Sequence, residues 1–223
     1  MKLLFFLLAL ATVVAQPTPT PAHELLNSTS NLDRLVSRSL VAKLPLTNIG
    51  PSVMSGRVTD IDVNPMAPHE FYVGYASGGL WYTTNNGTTF QPVMDNSPTQ
   101  NIGDIAVHWP THTIYVGTGE NNSSRSSYAG IGILKSTDKG ASWQHIGLAD
   151  SHHIGKIEIN PTDPNEVIVG VTGHLYSSDN VRGIYKTTDG GNTWKQTLSL
   201  QDPVGIIEIL SLIHISEPTR PLY

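Results

Sequence analysis

A unit of about fifty residues recurs along the chain, and no other feature limits the possible folds as strongly. Its clearest mark is an octet: Thr83–Phe90 (TTNNGTTF), Ser136–Trp143 (STDKGASW) and Thr187–Trp194 (TTDGGNTW). The steps from Asn85 to Asp138 and from Asp138 to Asp189 are 53 and 51 residues. A glycine (Gly79, Gly132, Gly183) stands six positions before each of these three residues. Upstream, Ile61/Val63, Ile105/Val107 and Ile157/Ile159 alternate as one face of a strand. Each pair leads through a proline-containing turn to a second apolar run ending at Gly74, Gly117 or Gly170. A fourth unit opens at Gly205 with Ile207 and Ile209, in the register of Gly155.

Each unit therefore holds four short strands, A to D, the make-up of a propeller blade. The expected fold is all-β: about three four-stranded blades plus the first strand of a fourth, over residues 49–209. The octet falls on the C–D turn. There Asn85, Asp138 and Asp189 are expected to accept backbone N–H groups, and Gly87, Gly140 and Gly191 to supply positive φ. Phe90, Trp143 and Trp194 are expected to pack between sheets. Turn chemistry accounts for these acids without a catalytic role.

The two ends read differently. Met1–Ala15 has a positively charged start, an apolar run and a small-residue Val-Val-Ala end, the pattern of a secretory leader. Its apolar run is too short to cross a bilayer, which takes about 20 residues. The expected location is secreted, periplasmic or extracellular, with no membrane span after cleavage. Residues 16–22 form a Pro/Thr linker. Residues 23–48 form an extension with a possible amphipathic helix from Glu24 to Val41, through Leu25, Leu32, Leu35, Val36 and Leu40. Leu210–Arg220 (LSLIHISEPTR) resembles a translated sequencing-library transposase adapter over eleven codons. Residues 210–223 are accordingly expected to be an adapter-derived tail on a truncated gene, whose missing blades would be this chain's first partner.

Composition removes several classes of function. There is no cysteine, hence no disulfide scaffold, thiolate metal site or cysteine nucleophile. Thirteen basic residues are scattered among eighteen acidic ones, which gives no basic face for nucleic acid. No cofactor is expected. Neither His152-His153 nor His108/His112 has an evident third ligand, so no metal site is expected either.

On a propeller the A–B and C–D turns share one face and the B–C and D–A loops the other. The second face, carrying loops of unequal length, is where ligand contacts are expected. The second blade's long loop offers Glu120, Asn121, Asn122, Arg125 and Tyr128. The third offers His174, Tyr176, Asp179 and Arg182, and a D–A loop adds Asp150. Glu120 with Asp179 or Asp150 is a weak candidate for a glycosidase carboxylate pair, which requires a separation of about 5–10 Å. Arg57, Arg125 and Arg182 fall one per blade, but the Arg-Ile-Pro element of sialidases is missing.

The three octets match the Asp-box, or BNR, signature S/T-x-D-x-G-x-T/S-W. With Asn48–Pro51, Ser55–Arg57, Ala76–Gly79 and Gly117–Asn122, the stretch from about Ile49 to Glu208 resembles the first blades of secreted sortilin-type, glycosyl-hydrolase-like propellers. The resemblance implies a propeller fold. Propeller glycosidases that cleave xyloglucan place an Asp in a first-blade context where this chain has Ala76, and alanine can neither give nor take a proton. Two functions stay open: a secreted propeller binding peptide or glycan through its B–C/D–A loop face without catalysis, or a polysaccharide hydrolase using Glu120 with an acid in missing blades.

Overall fold

The computed structural model describes residues 18–44, 56–122, 124 and 127–210. The leader, Arg125 and all of the adapter-like tail beyond Leu210 lie outside the described residues.

Among the described residues, the alternating runs become twelve strands in three antiparallel sheets, each in simple sequential order. The first holds β1 (Val58–Val63), β2 (Phe71–Tyr75), β3 (Gly79–Thr83) and β4 (Gln91–Pro92). The second holds β5 (Ile102–His108), β6 (Thr113–Thr118), β7 (Ile133–Ser136) and β8 (Gln144–His145). The third holds β9 (Ile154–Asn160), β10 (Asp163–Val171), β11 (Gly183–Thr187) and β12 (Lys195–Ser199). Their inner strands β1, β5 and β9 are neighbours in that order, which makes an arc of three propeller blades as the repeat predicts.

The C–D turns have the expected geometry. In the second blade Asp138 Oδ1 accepts the Ser142 N–H at 2.9 Å, and Oδ2 accepts the Ser142 hydroxyl at 2.6 Å. Asp189 repeats both bonds to Thr193 at the same distances. In the first blade Asn85 Oδ1 accepts the Thr89 N–H at 2.9 Å, and its amide donates to the Thr89 hydroxyl. Each turn runs through two successive left-handed residues (Asn86-Gly87, Lys139-Gly140, Gly190-Gly191), the second always glycine. Trp143 and Trp194 reach back a blade and donate their indole N–H to the carbonyls of Val93 and Ile146, at 2.8 and 2.7 Å. Phe90, which has no N–H, packs edge-on against Phe71 of its own blade.

The core lies between blades. One cluster joins Tyr72, Leu80, Tyr82 and Met94 of the first blade to Ile102, Ile105 and Val107 of the second. Another joins Tyr115 and Ile133 of the second to Ile154, Ile157 and Val169 of the third. The glycine ending each second strand explains how closely the sheets approach. A Cβ at Gly117 would lie 2.4 Å from Ile154 Cγ2, and one at Gly170 equally close to Ile206 Cγ2. Side-chain-free strand positions like these let another backbone or side chain come close.

Two expectations need adjustment. The extension does form a helix, α1 (Ala22–Arg38), but it stops before Leu40, and none of its residues is buried. The fourth unit sets Ile206 and Ile209 against Gly170, and Ile206 N donates to the Val171 carbonyl at 3.2 Å. No strand forms there, because no described strand of its own sheet pairs with it.

Candidate functional site

Two regions gather chemistry-bearing side chains. The loop face follows from the sequence. The arc's central groove does not.

On the loop face, Glu120 is buried at 1% side-chain exposure and held by Arg57, which enters from the first blade. Arg57 Nε donates to Glu120 Oε1 at 2.8 Å, and its terminal nitrogen contacts both carboxylate oxygens. Asn122 Nδ2 (3.1 Å) and the Ser127 hydroxyl (3.3 Å) supply further donors to the carboxylate. A carboxylate so surrounded ties two blades together through charge-assisted hydrogen bonds. Arg57, the residue sequence reasoning set aside, is thus the partner that defines Glu120.

Asp179 is similarly engaged. It accepts the backbone N–H groups of His174 (2.7 Å) and Val181 (3.0 Å) and pairs with Arg182 at 3.0 Å. Arg182 also pairs with Asp202 at 2.9 Å and donates to the carbonyls of Thr172, Pro203 and His174. The structure therefore binds Glu120 and Asp179 into separate ion pairs, one with Arg57 and the other with Arg182.

Tyr176 and Tyr128 stay more than half exposed on this face. Tyr176 donates its hydroxyl to the Ser124 carbonyl at 2.6 Å, bringing the long loops of the second and third blades together. Asn121 donates to the Gly155 carbonyl at 3.4 Å, leaving Asn122 exposed beside Glu120. Ala76, at the expected glycosidase position, is buried and serves through its backbone: its N–H bonds the Arg57 carbonyl and its carbonyl accepts from Ile102.

Asp150 lies on a short 3-10 turn (Ala149–Ser151), with His152 just beyond it in a left-handed conformation. His152 stacks on His174 from the next blade, ring centres 3.6 Å apart and planes 16° from parallel. Burial, with His174 second, pushes the His152 pKa down. Burial also holds that of His153 down, to about 4, so that imidazole is neutral at neutral pH.

The central groove has a volume of about 460 Å³ and is lined by the inner strands. Their register places Asp60, Asp104 and Lys156 opposite Gly74, Gly117 and Gly170. Each acid accepts from the next blade's inner strand: Asp62 from Val107 N (2.7 Å), Asp104 from Ile157 N (2.7 Å), and Asp60 more weakly from Ile105 N (3.4 Å). Lys156 closes the series, 3.2 Å from Asp104 and 3.9 Å from Asp60. Two carboxylates share one ammonium here. Burial first, and the Asp60 charge second, push Asp104 up to about 8, while the two acids overcome burial to raise Lys156. Burial also lifts Asp62 to about 6, against the donated bond from Trp109. The sequence signal for this groove is an acid one position before and after Ile61, and one before Ile105.

No protein-family model matches the chain. It is 29% identical over 141 residues to the probable oligoxyloglucan-reducing end-specific xyloglucanase of Neosartorya fischeri, a match covering 60% of this chain and 16% of that protein. Among solved structures it resembles an ancestral GH74 enzyme (TM-score 0.47, 23% identity, 63% of this chain and 18% of the other). It also resembles YCF48 from Cyanidioschyzon merolae (TM-score 0.44, 20% identity, 68% of this chain and 40% of the other). The chain thus spans about a sixth of the length of its curated relative. No described helix is long and apolar enough to cross a membrane.

Proposed function

We propose that this chain belongs to a secreted, sortilin-type Asp-box propeller, and that its loop face binds carbohydrate without hydrolysing it. The observation that carries this reading is the contrast on that face. Of its three candidate acids, Glu120 and Asp179 are engaged by Arg57 and Arg182 and Asp150 alone is exposed, so no open carboxylate pair faces a ligand, while Tyr128 and Tyr176 remain open. Exposed aromatic rings offer sugars an apolar face to stack on, with a hydroxyl at the edge. A general acid or base must reach the proton it moves, and Glu120 is walled in by its own donors. The xyloglucanase relative makes xyloglucan oligosaccharides the first ligands to try. Export follows from the leader pattern of Met1–Ala15.

The test is calorimetric titration of the protein with xyloglucan oligosaccharides, alongside an assay for released reducing ends. Binding that weakens in Tyr176→Ala and Tyr128→Ala, with no turnover, is the expected result. Turnover that disappears in Glu120→Gln would establish a hydrolase instead and overturn the proposal.

A further inference from the structure

We propose that Asp150, His152 and His174 bind one divalent transition-metal ion of the zinc class, clamping the loop that leaves the second blade to the long loop of the third. One donor atom from each residue lies within 4.8 Å of the others. An ion at the centre of such a triangle is within about 2.8 Å of each donor, and opening the stacked imidazoles so that both in-plane lone pairs converge brings them to the usual bonding distances of about 2.0–2.2 Å.

Three observations point to a cation there. First, His152 Nε2 is shielded from solvent and has no hydrogen-bond partner among the described residues. A buried ring nitrogen without a partner carries an uncompensated desolvation cost, which a metal bond removes. Second, His174, itself only 4% exposed, is gripped at both nitrogens: Nδ1 is 2.9 Å from the Ser177 hydroxyl, and Nε2 is 3.0 Å from the Asp150 carbonyl oxygen. With its proton on Nε2 the ring donates to that carbonyl and accepts from Ser177; with the proton moved to Nδ1 and donated to Ser177, the Nε2 lone pair is released to an ion that takes the place of the carbonyl hydrogen bond. Ser177 then orients the ring as outer partners of ligating histidines commonly do. Third, Asp150 is 57% exposed and gives the ion both a negative charge and a route in from solvent.

Two imidazoles and one carboxylate suit zinc, copper or nickel better than calcium or magnesium, which prefer oxygen alone. The site escaped sequence reasoning because its ligands come from two blades, with His174 24 residues beyond Asp150. It does not depend on the carbohydrate reading above.

The experiment is a titration of the EDTA-treated full chain, at low micromolar concentration, with Co²⁺ as the probe. The expected result is one Co²⁺ per chain, with visible d–d bands that Zn²⁺ abolishes and a Tm raised by Zn²⁺. Asp150→Asn, an exposed change that leaves the fold intact by circular dichroism, should weaken Co²⁺ binding at least about tenfold. His152→Ala should do the same, whereas His69→Ala, an exposed histidine elsewhere, should bind like the parent. Folded parent protein showing no Co²⁺ bands, or Asp150→Asn binding as tightly as the parent, would overturn the proposal.

Discussion

Asp138 and Asp189 each accept a backbone N–H and a hydroxyl proton within one turn, and the Ser142 and Thr193 hydroxyls, above the other donors, hold both carboxyls down to about 2. Because the folded pKa lies below the unfolded value of about 3.9, these turns contribute stability that is complete above about pH 4 and lost as pH falls toward 2. Asn85 shows that an amide can make the same bonds without titrating. Replacing Asp138 and Asp189 by Asn should therefore flatten the decline in urea midpoint across that acid range, while unchanged slopes would show that the turns do not sense pH. Asp104 carries the opposite sign. Its folded pKa is raised to about 8, so the native state holds a proton the unfolded chain has released. Its contribution is greatest below about pH 4 and diminishes as pH climbs to about 8. Asp104→Asn should remove that slope, measured by urea unfolding at intervals between those limits, and a slope that persists would place the proton elsewhere.

Among the elements, the second strand of each blade was legible as an apolar run, but the reason it ends in glycine was not. Only the approach of the next blade's Ile154 or Ile206 to Gly117 or Gly170 reveals it. The two sites are tighter than the first blade's. A Cβ at Gly74 would meet its nearest atom, Ile102 Cγ2, at 3.2 Å, tight but far milder than 2.4 Å at Gly117. Gly117→Ala should accordingly cost about 1–3 kcal/mol by overpacking, and Gly74→Ala distinctly less. Equal losses in chemical denaturation would mean that the blades yield freely. The turns and strand alternation could be read from sequence because they are local, each fixed within about ten residues by glycine, proline and period-two patterning. Glu120 was read as an available acid because its partner Arg57 lies 63 residues away. The stacking of His152 on His174 was equally hidden, since a ring placed by another blade leaves no local pattern.

Across the whole molecule, the three blades present equivalent surfaces under unequal cover. Ile105 and Ile157 are each 2% exposed, whereas Ile61, in the same register, is 51% exposed, and Val58 and Val63 stand open beside it. This apolar flank has the chemistry of the interior, and such patches drive association. The protein should self-associate as its concentration rises, and a Val63→Lys, Ile61→Lys double variant should shift sedimentation toward monomer. A parent chain that stays monomeric at high concentration would contradict this.

The carboxylates along the groove give the arc a chemical direction: a blade offers acceptors forward, and its successor answers with N–H groups. The second blade both answers the first and offers Asp104 onward, so in tandem copies every seam would keep the same bond. The third blade answers and carries Lys156 in the register of Asp104, with Glu158 in the register of Asp62. Copies of the third blade placed in series would carry Lys156 at each Asp104 position and leave the seam bond to Glu158, the counterpart of Asp62. Growth of such an array by gene duplication would thus shift the seam from one acid position to the other at the third blade, a change that a single substitution, Lys156→Asp, would reverse.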